Sequence, residues 1–335
     1  MIAGPAATEA PPPRVSVIVP AYGVAHLLGE ALRSLQAQEL QDWEAIVIDD
    51  GAPDDVASAF APFASDTRFQ LLATDNRGLA TARNRAIAAS RAPLVCLLDG
   101  DDLYEPSYLA QMTAAIAADP GLGFVCCDAF VFGAGHRIPR RYSSLYPMDG
   151  EITLERVLDR TFVIFVGTML RRSAIKQIGG FDGALAACED LDAWIRLLSA
   201  GWRGAHVPAP LARYRRRRGS MSSHTRSMLE ASCIMYDKAV RSLHGRPEQA
   251  VAQRMLAACQ RKLRWLDGED LILAGSVNDG LLRLADAQER SLRWRIALDI
   301  MRRAPRAAAA LLKLRAWLPS HAPASRTAAS SRGQL

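Results

Sequence analysis

The sequence predicts an α/β chain built on a mostly parallel sheet with helices on both faces, followed by a C-terminal helical region. Three observations carry that expectation. Short apolar runs alternate with stretches of helical spacing through the front half of the chain. The runs are apolar at nearly every position, as strands covered on both faces must be. Beyond Arg226 helical spacing continues almost to Pro319.

Taken in order, Val15-Ser16-Val17-Ile18-Val19 is a β-branched strand ended by Pro20, and Leu28, Leu32 and Leu35 then recur at helical spacing. A second strand over 44–48 runs into Asp49-Asp50-Gly51, and a third covers 69–73. The Ala-rich stretch 78–90 is helical; after Pro93 a fourth strand, 94–98, again ends in acids. A helix over 105–118 stops at Pro120-Gly121, and 123–127 is a fifth strand. From Gly150 the pattern loosens into helical 151–160, extended 162–170, a short helix 173–178 stopped by Gly179-Gly180, and an amphipathic helix 189–200. The layout expected is a lead-in over 1–14 that is disordered and lacks the apolar core of a signal peptide, an α/β domain over 15–225, a helical region over 226–319, and a disordered Ser/Ala/Arg-rich tail over 320–335.

The 335 residues are 50% hydrophobic and 23% charged, as in an ordinary globular protein with room for one large domain and an appendage. No apolar run approaches the roughly 20 residues that span a bilayer. The net charge of +6 is uneven: from Arg226 onward 19 Lys+Arg face 10 Asp+Glu, whereas the part before it carries 22 against 25. An acidic front can hold a metal, and a basic tail can meet an anionic surface. Cys96, Cys126, Cys127, Cys188, Cys233 and Cys259 form no CxxC pair, and no Asn-x-Ser/Thr site occurs; both suit a reducing, cytoplasmic location. No aromatic-studded basic motif points to nucleic acid, and no G-x-G-x-x-G follows a strand, which argues against a dinucleotide oxidoreductase.

In parallel sheets, ligands sit beyond the carboxyl ends of the strands. Asp49-Asp50 and Asp99-Gly100-Asp101-Asp102 both follow strands, so the two acidic turns are expected to face one crevice. Three carboxylates packed together tolerate ionisation best when a cation neutralises them, and hard oxygen ligands suit Mg²⁺ or Mn²⁺. Gly100 allows a close backbone turn. The competing reading is a solvated turn with one aspartate capping the helix near Glu105. Asp49-Asp50-Gly51 is common turn chemistry, or a pair of acceptors for a nucleobase and a ribose. Arg77 and Arg83 are surface charges, or donors to a diphosphate. Glu189-Asp190 opens a helix, where acids complement the macrodipole, or supplies a general base. Tyr214-Arg215-Arg216-Arg217-Arg218-Gly219-Ser220 reads as a loop, either solvated or closing over phosphates. Leu292, Ile296 and Ile300 share a helix face beside Arg293, Arg295, Arg302 and Arg303; that helix packs on the rest of the chain or lies on an anionic membrane surface.

In this order the motifs resemble inverting glycosyltransferase family 2, with its Rossmann-like GT-A fold, over about 15–222. The segment from Val15 to Tyr22 resembles the family's first strand and nucleotide-binding turn, although Gly23 stands where Asn is usual. Leu32-x-x-Leu35-x-x-Gln38, Asp49-Asp50-Gly51, Gly78-x-x-x-Ala82-Arg83-Asn84, Leu97-Leu98-Asp99-Gly100-Asp101-Asp102 and Gly179-Gly180-Phe181-Asp182 with Glu189-Asp190 follow in the family's sequence. The resemblance implies a donor-nucleotide site of Pro20, Tyr22, Asp49, Asp50, Arg83, Asp99 and Gly100. It implies Mn²⁺ or Mg²⁺ on Asp101 and Asp99, Asp190 as the base that deprotonates the acceptor, and Glu189, Gly180 and Arg217 on the acceptor side and late loop.

The implied donor is a nucleotide-diphosphate sugar, with UDP preferred, and the implied acceptor is a saccharide or lipid-linked species of cell-envelope synthesis. The enzyme would be cytoplasmic, with peripheral contact to the inner face of the membrane through the basic C-terminal helices. No Gln-x-x-Arg-Trp motif occurs, and Trp194-Ile195-Arg196-Leu197 follows the base instead, which implies addition of one or a few sugars. Arg217 stands where many members have a His; it cannot ligate a cation but can neutralise a diphosphate, so weaker metal dependence is expected. Two other readings compete. A non-catalytic nucleotide-sugar-binding scaffold is opposed by the intact Asp99, Asp101 and Asp190. A sugar-nucleotide pyrophosphorylase needs a Gly-rich basic loop where Ala21-Tyr22-Gly23-Val24-Ala25-His26 stands.

Overall fold

The structure is a computed structural model that describes residues 12–134, 136–217, 219–220, 225–287 and 303. The chain divides into two compact units, 1–255 and 256–335. The first holds nine strands among the described residues: β1 (Val15–Ala21), β2 (Trp43–Asp50), β3 (Phe69–Thr74), β4 (Leu94–Leu97), β5 (Leu103–Tyr104), β6 (Leu122–Gly133), β7 (His136–Arg141), β8 (Thr168–Arg171) and β9 (Arg203–Arg216). They form one sheet in the order β3-β2-β1-β4-β8-β6-β9-β5, with β7 beside β6.

The parallel core is β3-β2-β1-β4, with Ile18 level with both Ile46 and Leu97. All seven residues of β1 are buried, which requires cover on both faces and explains the β-branched run. Each such Val or Ile contributes about 1.5–3 kcal/mol on burial. Ser16 is the one hydroxyl in that strand. Its Oγ donates to Glu44 Oε1 at 2.6 Å and accepts from the Ala92 amide at 3.1 Å. β8 runs antiparallel to both β4 and β6, and β9 returns parallel to β6, so the far half of the sheet is mixed.

The helices of the first unit are α1 (Ala25–Gln36), α2 (Val56–Phe60), α3 (Leu79–Ala89), α4 (Tyr108–Ala117), α5 (Leu154–Leu158), α6 (Arg172–Gln177), α7 (Glu189–Ser199) and α8 (Thr225–Ser242). Leu28, Ala31, Leu32 and Leu35 form the buried stripe of α1, as their spacing predicts. In α8, the Tyr236 hydroxyl donates to the Leu158 carbonyl at 2.8 Å. α9 (Glu248–Leu273) runs into the second unit, where α10 (Val277–Asp286) follows it. Within that unit the two helices approach closely at Gly268 and Gly280: a Cβ on Gly280 would lie 2.6 Å from the Gly268 carbonyl oxygen.

Several elements differ from the sequence expectation, each for a tertiary reason. Pro20 does not end β1, because the segment after β4 donates the amides of Leu98 and Gly100 to the carbonyls of Ile18 and Pro20. On that side Pro20 needs only to accept. Of the extended 162–170 only the last three residues are strand, as the start of β8. Helix α4 begins at Tyr108, and Asp102 does not cap it. Tyr214, Arg215 and Arg216 are not loop but the end of the 14-residue β9, paired with Val131, Phe132 and Gly133 of β6. The strands β5, β7 and β9 and helix α2 carried no apolar periodicity of their own. The lead-in up to residue 11, the helix face of Leu292, Ile296 and Ile300, and the tail 320–335 lie outside the described residues.

Candidate active site

The site is built where β1, β2 and β4 end. Beyond β4 the chain crosses directly over the end of β1 at Gly100. A Cβ there would meet the Pro20 carbonyl oxygen at 2.8 Å and Val24 Cγ2 at 3.0 Å, so the crossing admits only glycine. The turn from β1 into α1 is held from outside: Asp54 accepts from the amides of Gly23 at 3.0 Å and Ala25 at 2.6 Å. That supplies the cap which Val24, at the N-cap position, has no side chain to make. Tyr22 stands beside this turn with 52% of its surface exposed.

The acids at the end of β2 are largely engaged with backbone. Asp49 Oδ1 accepts from the Ala52 amide at 2.8 Å. Buried Asp50 accepts from the amides of Arg77 at 3.1 Å and Gly78 at 2.8 Å. Asp50 therefore fixes the start of α3, and with it Arg83.

Arg83 is the centre of the site. Its side chain is 1% exposed, with Nη2 2.8 Å from Asp99 Oδ1 and Nη1 2.6 Å from Glu189 Oε1. Its guanidinium also lies 5.6 Å from the centre of the Phe181 ring. Burial opposes its charge, but Asp99, Glu189 and Asp190 around it hold it firmly protonated. One cation shared by several acids leaves Glu189 short of compensation. Burial first, and then Asp190 and Asp99 against the opposing pull of Arg83, push its carboxyl up to about 7.

Glu189 and Asp190 open α7 from an unusual start: Cys188 precedes them with φ 62° in the left-handed region. Asp190 accepts the Leu191 amide at 2.7 Å through Oδ1 and is half-buried. The loop leading here is pinned to α3 by Asn84, which donates to the Phe181 carbonyl at 2.7 Å and accepts from the Phe181 amide at 2.8 Å. A Cβ on Gly180 would lie 2.5 Å from Asn84 Oδ1, and its φ of +78° is itself a glycine conformation. Lys238 of α8 holds the far side, at 2.6 Å from Asp182 and 2.8 Å from Asp192.

The rest of the acidic turn faces the end of β9. Asp101 Oδ2 lies 2.6 Å from Arg217 Nε. Arg215 Nε donates to the Asp101 carbonyl at 2.8 Å, and Arg215 N donates to Asp102 Oδ1 at 2.7 Å. Burial and the adjacent carboxylates raise the carboxyls of both Asp101 and Asp102, the latter strongly. Asp102 thus ties two segments together, and Asp99 and Asp101 remain as the half-exposed and near-buried members of the turn.

Those two carboxylates suit a hard divalent cation of the Mg²⁺ or Mn²⁺ type, which commonly takes one or two protein carboxylates and completes its shell with water and phosphate. Burial first and then the neighbouring Asp99 raise the Asp101 carboxyl, and such an ion would offset both. Among the described residues no group of three or more His, Cys, Asp and Glu is arranged around an ion position. Of the residues the sequence predicts for the site, direct contacts join Pro20 to Gly100, Arg83 to Asp99 and Glu189, and Asp101 to Arg217. The sequence did not single out Asp54 or Lys238, and read Arg215 only as part of a basic loop, because their partners lie far away in sequence and leave no local pattern.

A model of glycosyl transferase family 2 matches residues 16–179. The succinoglycan biosynthesis protein ExoU of Rhizobium meliloti is 34% identical over 210 residues, which cover 58% of this chain and 60% of ExoU. The chain therefore spans less than two thirds of that relative. The mannosyltransferase PcManGT from Pyrobaculum calidifontis, solved with GDP-Man and Mn²⁺, superposes with a TM-score of 0.59 at 20% identity, over 91% of this chain and 83% of that one. TarS of S. aureus, residues 1–349 with UDP-GlcNAc, gives 0.58 at 19% identity, over 74% of this chain and 72% of that one. The family match starts within β1 and runs past Gly100 and the loop to Gly179, so residues 16–179 resemble a glycosyl transferase family 2 domain, on a fold that these solved glycosyltransferases share.

Proposed function

We propose that this protein transfers a sugar, with inversion, from a nucleotide-diphosphate sugar to a hydroxyl of a saccharide or lipid-linked acceptor in cell-envelope polysaccharide synthesis. The observation that carries the proposal is the Arg83 bridge. It ties the Asp99 turn to the Glu189-Asp190 turn at 2.8 and 2.6 Å, so a leaving-group site and a base share one crevice. Direct displacement requires both.

In this reading, Asp49 and Asp50 with the exposed Tyr22 border the base and ribose. Asp101 and Asp99 would hold the cation, which supplies neutralisation of the leaving diphosphate. Arg83 orients Asp99 and Glu189. Asp190 accepts the proton of the acceptor hydroxyl as the hydroxyl oxygen attacks the anomeric carbon. Glu189 and the Gly180 turn shape the acceptor side. Solved relatives bound to UDP-GlcNAc and to GDP-Man support a nucleotide-sugar donor, and UDP is the first to test. The role of ExoU in succinoglycan biosynthesis supports an exopolysaccharide acceptor. No helix of the described residues is long and apolar enough to cross a membrane.

The test is calorimetric titration of UDP with and without Mn²⁺ into wild type and Asp101→Asn. Binding that is strengthened by Mn²⁺ and lost in Asp101→Asn is the expected result. No binding of UDP, GDP or dTDP under any condition would remove the donor site and leave a scaffold.

A further inference from the structure

Arg217 is attached to Asp101 in an incomplete way. Only its Nε reaches the carboxylate, at 2.6 Å. Its two terminal nitrogens have no hydrogen-bond partner among the described residues, although the Asp101 side chain is 15% exposed and that of Arg217 27%. A guanidinium that meant only to neutralise a carboxylate would use two parallel bonds. Its neighbours each have a second kind of contact: Arg215 binds the Asp101 carbonyl, Glu30 and the face of Phe132, and Arg216 binds the Tyr146 hydroxyl and lies 5.6 Å from the centre of the Tyr214 ring.

The charge around the turn makes this arrangement consequential. Asp99, Asp101, Asp102, Glu189 and Asp190 are served by Arg83, Arg215 and Arg217. Arg83 also binds Glu189 and Arg215 also binds Glu30, whereas the one side-chain hydrogen bond of Arg217 among the described residues is to Asp101. Arg217 occupies the carboxylate that a divalent cation would need, and two cations cannot share that oxygen at close range without strong repulsion.

We propose that Arg217 is a built-in counter-ion that competes with the divalent cation for Asp101, and that its free Nη1 and Nη2 are donors for the diphosphate of the donor once the cation takes Asp101. This deepens the donor-site reading above and rests on it. Two consequences have opposite signs. Removing Arg217 frees Asp101 for the cation, yet removes a diphosphate donor.

The experiment measures Mn²⁺ affinity without nucleotide, by the loss of the free Mn²⁺ paramagnetic resonance signal, for wild type, Arg217→Gln and Arg216→Gln. Arg216→Gln removes the same charge one residue away without touching Asp101. The expected result is Mn²⁺ binding at least about tenfold tighter in Arg217→Gln than in wild type, with Arg216→Gln changing it less than about threefold. UDP affinity at saturating Mn²⁺ should fall in Arg217→Gln. Equal Mn²⁺ affinity in wild type and Arg217→Gln, or the same gain in both variants, overturns the proposal.

A measurement on the unmutated protein guards against a variant that folds poorly. Mg²⁺ should shift the Nε–H resonance of Arg217, assigned by its absence in Arg217→Lys, and an unmoved resonance overturns the proposal equally. Wild-type binding of UDP with Mn²⁺ tests the donor site separately. If that binding is intact while Arg217→Gln gains nothing for Mn²⁺, the donor site stands and the role of Arg217 falls.

Discussion

Arg83 and Glu189 lie 106 residues apart in the chain and 2.6 Å apart in space, both almost wholly buried. Such a pair is retained because each charge is the other's solvation. Breaking it costs far more than never having had it, since the survivor is left in a medium that cannot stabilise it.

Arg83→Ala should therefore lose about 3–5 kcal/mol of stability, measured by urea denaturation. Arg83→Lys, which keeps the charge but cannot serve both carboxylates through a planar fork, should fall between. A loss below about 1 kcal/mol in Arg83→Ala would show that the bridge contributes little to folding.

The Glu189 carboxyl, pushed up to about 7 from its ordinary 4.5, gives a pH signature. A folded-state value above the unfolded one means that the protonated form favours folding. That contribution is complete below the unfolded value and is lost as pH rises through about 7. The melting temperature of wild type should fall relative to Glu189→Gln between about pH 5 and about pH 8. A difference that stays flat over this window would mean that Glu189 remains ionised throughout.

Gly100→Ala places a methyl against a backbone carbonyl at 2.8 Å and against Val24 at 3.0 Å, neither of which is a flexible side-chain end. The expected cost is about 1–3 kcal/mol, with UDP binding weakened because the Asp99 and Asp101 carboxylates shift with the turn. Unchanged stability together with unchanged binding would show that the crossing can open at no cost.

Asp190→Asn separates binding from chemistry. The substitution keeps the shape of the side chain and removes its basicity. UDP affinity should stay within about threefold of wild type, while release of UDP from the sugar donor during transfer falls about 10²–10⁴-fold. Retained turnover would assign the base to another group.

The sequence by itself determined the alternation of strand and helix, the burial of both faces of β1 and β2, and the two acidic turns that follow β2 and β4. These are local properties: period, apolar runs and turn residues report on the few neighbours along the chain. It also singled out the residues that the Arg83 bridge gathers, because their motifs are local too.

Only the tertiary structure decided what each of those side chains touches. The sequence did not show that Asp50 accepts from the amides of Arg77 and Gly78, or Asp102 from that of Arg215. The arginines after Tyr214 read as loop because a strand whose long side chains bury their stems and send their heads to distant acids shows no apolar alternation. β9 exists because β6 pairs with it, and Arg217 reaches Asp101 because β9 ends there. Sheet order joins segments a hundred residues apart, and no spacing within either segment encodes it.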